Sequence, residues 1–163
     1  MNDRVRVGIA QMCTAKEPAV LSALGLGSCL GIVVYDPQTR IGGLAHTLLP
    51  APRPKDTVPR PAKFVTTAIE ALVEALLEAG AERTQLQAKI MGGANMFLSL
   101  QANGDEGVGG RNASMARQVL QELAIPLVAE DVGGHHGRTI DFHLATGTVQ
   151  VRSLRGGCKE ITL

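Results

Sequence analysis

The stretch "LGLGSCLGIVVYDPQTRIGGLAHTLLP", Leu24 to Pro50, decides how the chain folds. Its second part reads as a hairpin. "LGIVVYD" is an apolar run through Val33 and Val34, Asp36-Pro37 favours a turn, and "IGGLAHTLL" returns as a second strand. Its first part sets Cys29 after a glycine-punctuated turn and at the start of the outgoing strand. A buried structural thiol needs no such setting. A nucleophile needs a tight turn, open approach and backbone N–H groups close by.

Working outward, "RVRVGIAQMC" alternates Val5, Val7 and Ile9 with polar or small residues, which predicts one half-buried first strand. Five prolines fall between Pro50 and Pro61, so that segment is a surface connection. Val65, Ile69, Leu72, Val73 and Leu76 then form one apolar stripe, predicting a helix from about Ala62 to Ala79, stopped by Gly80. "AKIMGGANMF" reads as a buried strand broken at Gly92 and Gly93, and "QANGDEGVGG" as a loop. A second helix is expected from about Asn112 to Leu123, with Met115, Val119 and Leu123 on one side. "IPLVAEDVGG" supplies a short strand. "RTIDFHLATGTVQVRSL" alternates Ile140, Phe142 and Leu144, then Val149 and Val151 beyond Gly147, and predicts a terminal hairpin. Strands predominate in a mixed order, so the fold class is α+β: one domain over residues 1–163, with layered sheets covered by two main helices.

Composition narrows the function. Apolar residues make up 45% of the 163, charged residues 19% and aromatics 2%, with a net charge of +1. Too few aromatics and no basic run argue against nucleic-acid binding. Three cysteines, Cys13, Cys29 and Cys158, are odd in number and unpaired in spacing, which suits a reducing compartment. The N-terminus lacks a signal-peptide core, and no window approaches the roughly 20 apolar residues of a membrane helix. A cytoplasmic protein without membrane insertion is expected.

Several chemical sites compete. Gly25 and Gly27 begin a G-x-G, but the third glycine of a dinucleotide fingerprint would fall on Leu30, and a strand rather than a helix follows. Cys29 can act as a nucleophile if a base lies near. His46, seventeen positions on, ends the returning strand, and antiparallel pairing brings it back beside Cys29. The bland alternative, a buried thiol with an unrelated imidazole on the next strand, stays open on spacing alone. Cys158 beside Lys159 reads as a peripheral thiol, and Cys13 as core or rim. His135 and His136, with His143 further on, lack the remaining members of a four-ligand set, so neither metal nor cofactor is expected.

These blocks together resemble the CheD family, the chemoreceptor glutamine deamidases of bacterial chemotaxis. The likeness runs through "LGLGSCLGIVVYDPQTRIGGLAHTLLP", "KIMGGANMF", Arg111-Asn112 and "IPLVAEDVGGHHGRTIDFHLATGTVQVR", in family order from about residue 20 to 152. The resemblance implies an α/β/β-type sandwich and a cysteine hydrolase that converts glutamine side chains of methyl-accepting chemotaxis receptors to glutamate. It makes Cys29 the nucleophile and His46 the general base; the chemistry of such a turn would place the oxyanion on backbone N–H groups around Gly27, Ser28 and Cys29. The family's third position, a threonine six residues before the cysteine, is Ala23 here. The Ala23 carbonyl could orient the imidazole instead, and Ser22 and Ser28 are neighbouring hydroxyls. The resemblance also implies the CheC phosphatase as a partner, and an adaptor that binds without turnover is the alternative function.

Overall fold

The Leu24–Pro50 stretch folds largely as expected, into two antiparallel strands inside a five-stranded sheet. The computed structural model describes residues 3–96, 107–153 and 159–163. In chain order the strands are β1 (Arg4–Arg6), β2 (Gln11–Lys16), β3 (Val20–Leu26), β4 (Leu30–Asp36), β5 (Ile41–Thr47) and β6 (Gln87–Gly92). They continue as β7 (Leu127–Val132), β8 (Arg138–His143), β9 (Val149–Ser153) and β10 (Lys159–Thr162). The two helices are α1 (Val65–Glu78) and α2 (Gly107–Glu122).

One sheet runs β2-β5-β4-β6-β7 and the other β1-β3-β8-β9-β10. The architecture is an α+β sandwich of helices, sheet and sheet. β4 is buried along its whole length, because it contributes to two cores. Leu30, Ile32 and Val34 face Ile69, Leu72, Leu76 and Leu120 of the helices. Val33 and Tyr35 face Ile140, Phe142 and Val151 of the second sheet. Tyr35 meets Phe142 edge to face at 5.6 Å, and its hydroxyl donates to the Leu144 carbonyl at 2.7 Å. The hairpin turn is set by Asp36, whose carboxylate accepts the N–H groups of Gln38 and Thr39.

Three expectations change. The first strand is two strands in different sheets: Val7 is buried, while Val5 and Ile9 are exposed. A turn at Gly8–Ala10, with Ala10 at φ +61°, carries the chain from one sheet to the other and breaks the alternation. The second helix starts at Gly107, ahead of Asn112. Its glycines serve close packing rather than a loop, since a Cβ on Gly109 would lie 2.2 Å from the Ala94 carbonyl oxygen. β3 and β10 were not read from the sequence; β3 ends in the glycine turn. Residues 101–106 of the expected loop, and Cys158, lie outside the described residues.

Candidate active site

The two strands of the hairpin bring Cys29 and His46 to one face. Gly31 pairs with His46 and Leu30 with Thr47. Side chains alternate along β5, so His46 points to the side of Leu44, and Cys29, just ahead of β4, belongs with Leu44 to the core on that side. That face looks toward the second sheet, where a Cβ on Gly31 would meet Ile140 and Leu26. Cys29 belongs to the same inter-sheet core. In this structure no hydrogen bond joins the Cys29 thiol to His46 Nε2.

His46 is held from the crossover between β1 and β2. The Val7 carbonyl lies 3.1 Å from Nδ1, and the His46 carbonyl accepts the Ala10 N–H at 2.9 Å. A carbonyl can only accept, so Nδ1 carries the proton and Nε2 holds the free lone pair. Nε2 is buried with no hydrogen-bond partner among the described residues. Burial pulls the imidazole below its ordinary pKa, with the Val7 contact opposing it. Burial pushes the Cys29 thiol up, its own backbone N–H opposing. Both shifts favour neutral thiol beside neutral imidazole.

The orienting acceptor is therefore Val7, where the sequence reading placed the carbonyl of Ala23. Ala23 is wholly buried in the inter-sheet core. Ser22 is also committed elsewhere, its hydroxyl donating to Asp141, which additionally binds Arg4 and Arg152.

The turn before Cys29 is fixed by its carbonyls. Gly27 O accepts the Ala94 N–H and Cys29 O the Gly93 N–H, each at 2.9 Å. Ser28 O accepts Nδ2 of Asn112 at 3.0 Å. With the carbonyls turned inward, the N–H groups of Gly27, Ser28 and Cys29 donate to no other described residue. Gly25 adopts φ +64°, which suits glycine, and a Cβ on Gly27 would lie 3.4 Å from the Met96 side chain. Leu24 and Met96 are exposed beside this turn, 43% and 45% accessible, giving it an apolar rim.

The supports of the Gly93–Ala94 segment come from β7 and β8. Arg138 is buried, and its guanidinium donates to Asp131 at 3.0 Å and to the carbonyls of Gly92 and Gly133. Neither Val7, Asn112 nor Arg138 was assigned a role from sequence. Backbone acceptors leave no residue-type signal, although Asn112 and Arg138 both lie within the matched blocks. His135 and His143 do not converge on Cys29: their rings contact the Asn95 carbonyl and the Gln150 amide oxygen.

A cavity of about 480 Å³ lies next to the Val7 contact, lined by Val5, Val7, Gln11, Cys13, Pro59 and Arg60 among others. Cys29 does not line it. No described helix is long and apolar enough to cross a membrane.

Comparison with known proteins agrees with the motif reading. The family model of CheD, chemotactic sensory transduction, matches residues 48–153. A probable chemoreceptor glutamine deamidase CheD 2 of Geobacter metallireducens is 47% identical over 99% of this chain and 100% of its own. A probable chemoreceptor glutamine deamidase CheD of Moorella thermoacetica is 50% identical over 96% of this chain and 95% of its own. A crystal structure of a hypothetical protein, YfiH of Bacillus licheniformis, matches with a TM-score of 0.48 at 14% identity, covering 74% of this chain and 49% of that one. Identity of this extent over nearly the whole length leaves one assignment: the chain belongs to the CheD family.

Proposed function

We propose that this protein is a glutamine deamidase of methyl-accepting chemotaxis receptors, working through a Cys29 thioester. The names of its relatives point to that substrate. The observation that carries the chemistry is the His46 ring, with Nδ1 on the Val7 carbonyl and a buried, unpartnered Nε2 on the face it shares with Cys29. The third position works through no side chain at Ala23; the Val7 carbonyl supplies the orienting acceptor.

His46 Nε2 takes the Cys29 proton as Sγ forms a bond to the carboxamide carbon of a substrate glutamine. The carbonyl electron pair moves onto oxygen, where the N–H groups of Gly27, Ser28 and Cys29 receive it. One such donor is worth about 2.7–4 kcal/mol in the transition state. The imidazolium returns its proton to the departing nitrogen, the C–N bond breaks, and ammonia leaves. Water then gives a proton to Nε2 and attacks the thioester, and collapse of the second oxyanion releases glutamate and the thiol. The apolar rim of Leu24 and Met96 suits a protein substrate that presents its glutamine from a helix surface.

Incubating a purified receptor cytoplasmic fragment with the protein should release ammonia and convert particular glutamines to glutamate by mass spectrometry. Cys29→Ala should abolish both while leaving the fold intact. Unchanged conversion by that variant would sink the assignment. An adaptor that only binds receptors or the CheC phosphatase predicts complex formation without ammonia.

A further inference from the structure

Asn112 has no part in the steps above, yet it touches both sides of the site. It lies in the second turn of α2 and is wholly buried. Its Nδ2 donates to the Ser28 carbonyl at 3.0 Å and to the Leu48 carbonyl at 3.1 Å. Ser28 immediately precedes the nucleophile, and Leu48 lies two residues beyond the base. Both partners are carbonyls, so chemistry alone fixes which end of the amide faces them.

The β4–β5 ladder ends at the Leu30–Thr47 pair, where the Thr47 hydroxyl donates to the Leu30 carbonyl at 2.9 Å. Cys29 and Leu48 come next, outside the ladder. Asn112 spans the two chains where their own hydrogen bonds stop. Its Oδ1 is buried without a partner among the described residues. An apolar side chain of similar size would spare that orphan but strip the Ser28 and Leu48 carbonyls of the donor they share.

We propose that Asn112 is a positioning residue for the Cys29–His46 pair, clamping the nucleophile turn to the end of the base-bearing strand. The proposal rests on the deamidase reading for its kinetic consequence, but the clamp itself acts on the thiol and imidazole without substrate. Misplacing reacting groups by about 1 Å costs on the order of 100-fold in rate.

The test uses Asn112→Ala and the near-isosteric Asn112→Asp, each checked for folding by circular dichroism. Deamidation of a receptor fragment should fall about 100-fold in kcat, with KM within about twofold. Iodoacetamide alkylation, followed on the Cys29 peptide by mass spectrometry, supplies a readout free of substrate. In the parent protein its pH profile should carry an inflection from His46, absent in His46→Ala. Folded Asn112 variants should lose that inflection too. If either folded variant keeps the parent profile and parent kcat, and only its melting temperature falls, Asn112 is a packing residue and the proposal is wrong. If the parent protein releases no ammonia, the deamidase reading fails while the alkylation profiles still decide the clamp.

Discussion

The Val7 carbonyl and the His46 ring are 39 positions apart in sequence and meet at 3.1 Å. That contact sets the imidazole tautomer, because only a protonated Nδ1 can donate to a carbonyl. It also keeps the imidazole oriented in a chain that has alanine at position 23. The acceptor comes from the backbone of the β1–β2 crossover, which no side-chain substitution at position 23 removes.

Ala23→Thr follows directly. Restoring the family's hydroxyl should not raise kcat, since the Nδ1 proton is already bonded. It should lower stability by about 1–3 kcal/mol, because Ala23 is wholly buried and the larger side chain overpacks the inter-sheet core. Steady-state kinetics with urea unfolding checks both. A clear rise in kcat would mean that the Val7 contact is not sufficient.

The pH dependence has a definite sign. Burial disfavours the charged forms of both residues, so His46 stays neutral to lower pH than an ordinary histidine and Cys29 stays protonated to higher pH than an ordinary thiol. The kcat/KM profile should form a broad bell, its acid limb below about 6.5 and its alkaline limb above about 8.5. An acid limb above about 6.5 or an alkaline limb below about 8.5 would contradict these directions.

The same burial ties stability to pH. With its folded pKa depressed, neutral His46 contributes fully above the unfolded value of about 6.5, and the contribution is lost as pH falls toward the folded value. His46→Phe should remove that part of the acid sensitivity in urea titrations between neutrality and mild acid. An unaltered slope would contradict it.

Gly92→Ala should damage fold and site together. Gly92 sits at φ +104°, and an added Cβ would meet the Cys29 carbonyl oxygen at 2.4 Å. The strained backbone alone costs about 1–3 kcal/mol, and the clash displaces the nucleophile. Thermal unfolding and receptor deamidation should both fall, whereas a loss confined to stability would separate the turn from catalysis.

Arg138→Met removes the guanidinium that joins Asp131 to the carbonyls of Gly92 and Gly133. Breaking a largely buried pair from one side costs about 3 kcal/mol. Urea unfolding should register this, and Asp131→Asn, which keeps a neutral acceptor, should cost less.

The hairpin and the first helix were legible because strand alternation and helical periodicity are written in side-chain types, and the hairpin register sets His46 opposite Gly31, two residues from Cys29. The β1–β2 division was not. Val5, Val7 and Ile9 alternate as one strand would, and no residue type marks the positive φ at Ala10 where the chain changes sheets. The start of α2 was hidden for a different reason. Gly107, Gly109 and Gly110 carry loop composition, while packing against Gly93 and Ala94 requires a residue without a Cβ at Gly109. Val7 was invisible as a site residue because its contribution is a carbonyl, which every residue possesses.

The carbonyls of Gly27, Ser28 and Cys29 are held by Ala94, Asn112 and Gly93, and Arg138 braces the Gly92 carbonyl beside the last of these. All of them lie far downstream of Cys29 in the chain. During synthesis the thiol therefore leaves the ribosome long before the groups that aim it. A chain that ends before Gly93 therefore carries Cys29 without any of the groups that hold its turn, so the setting of this thiol depends on the later half of the polypeptide.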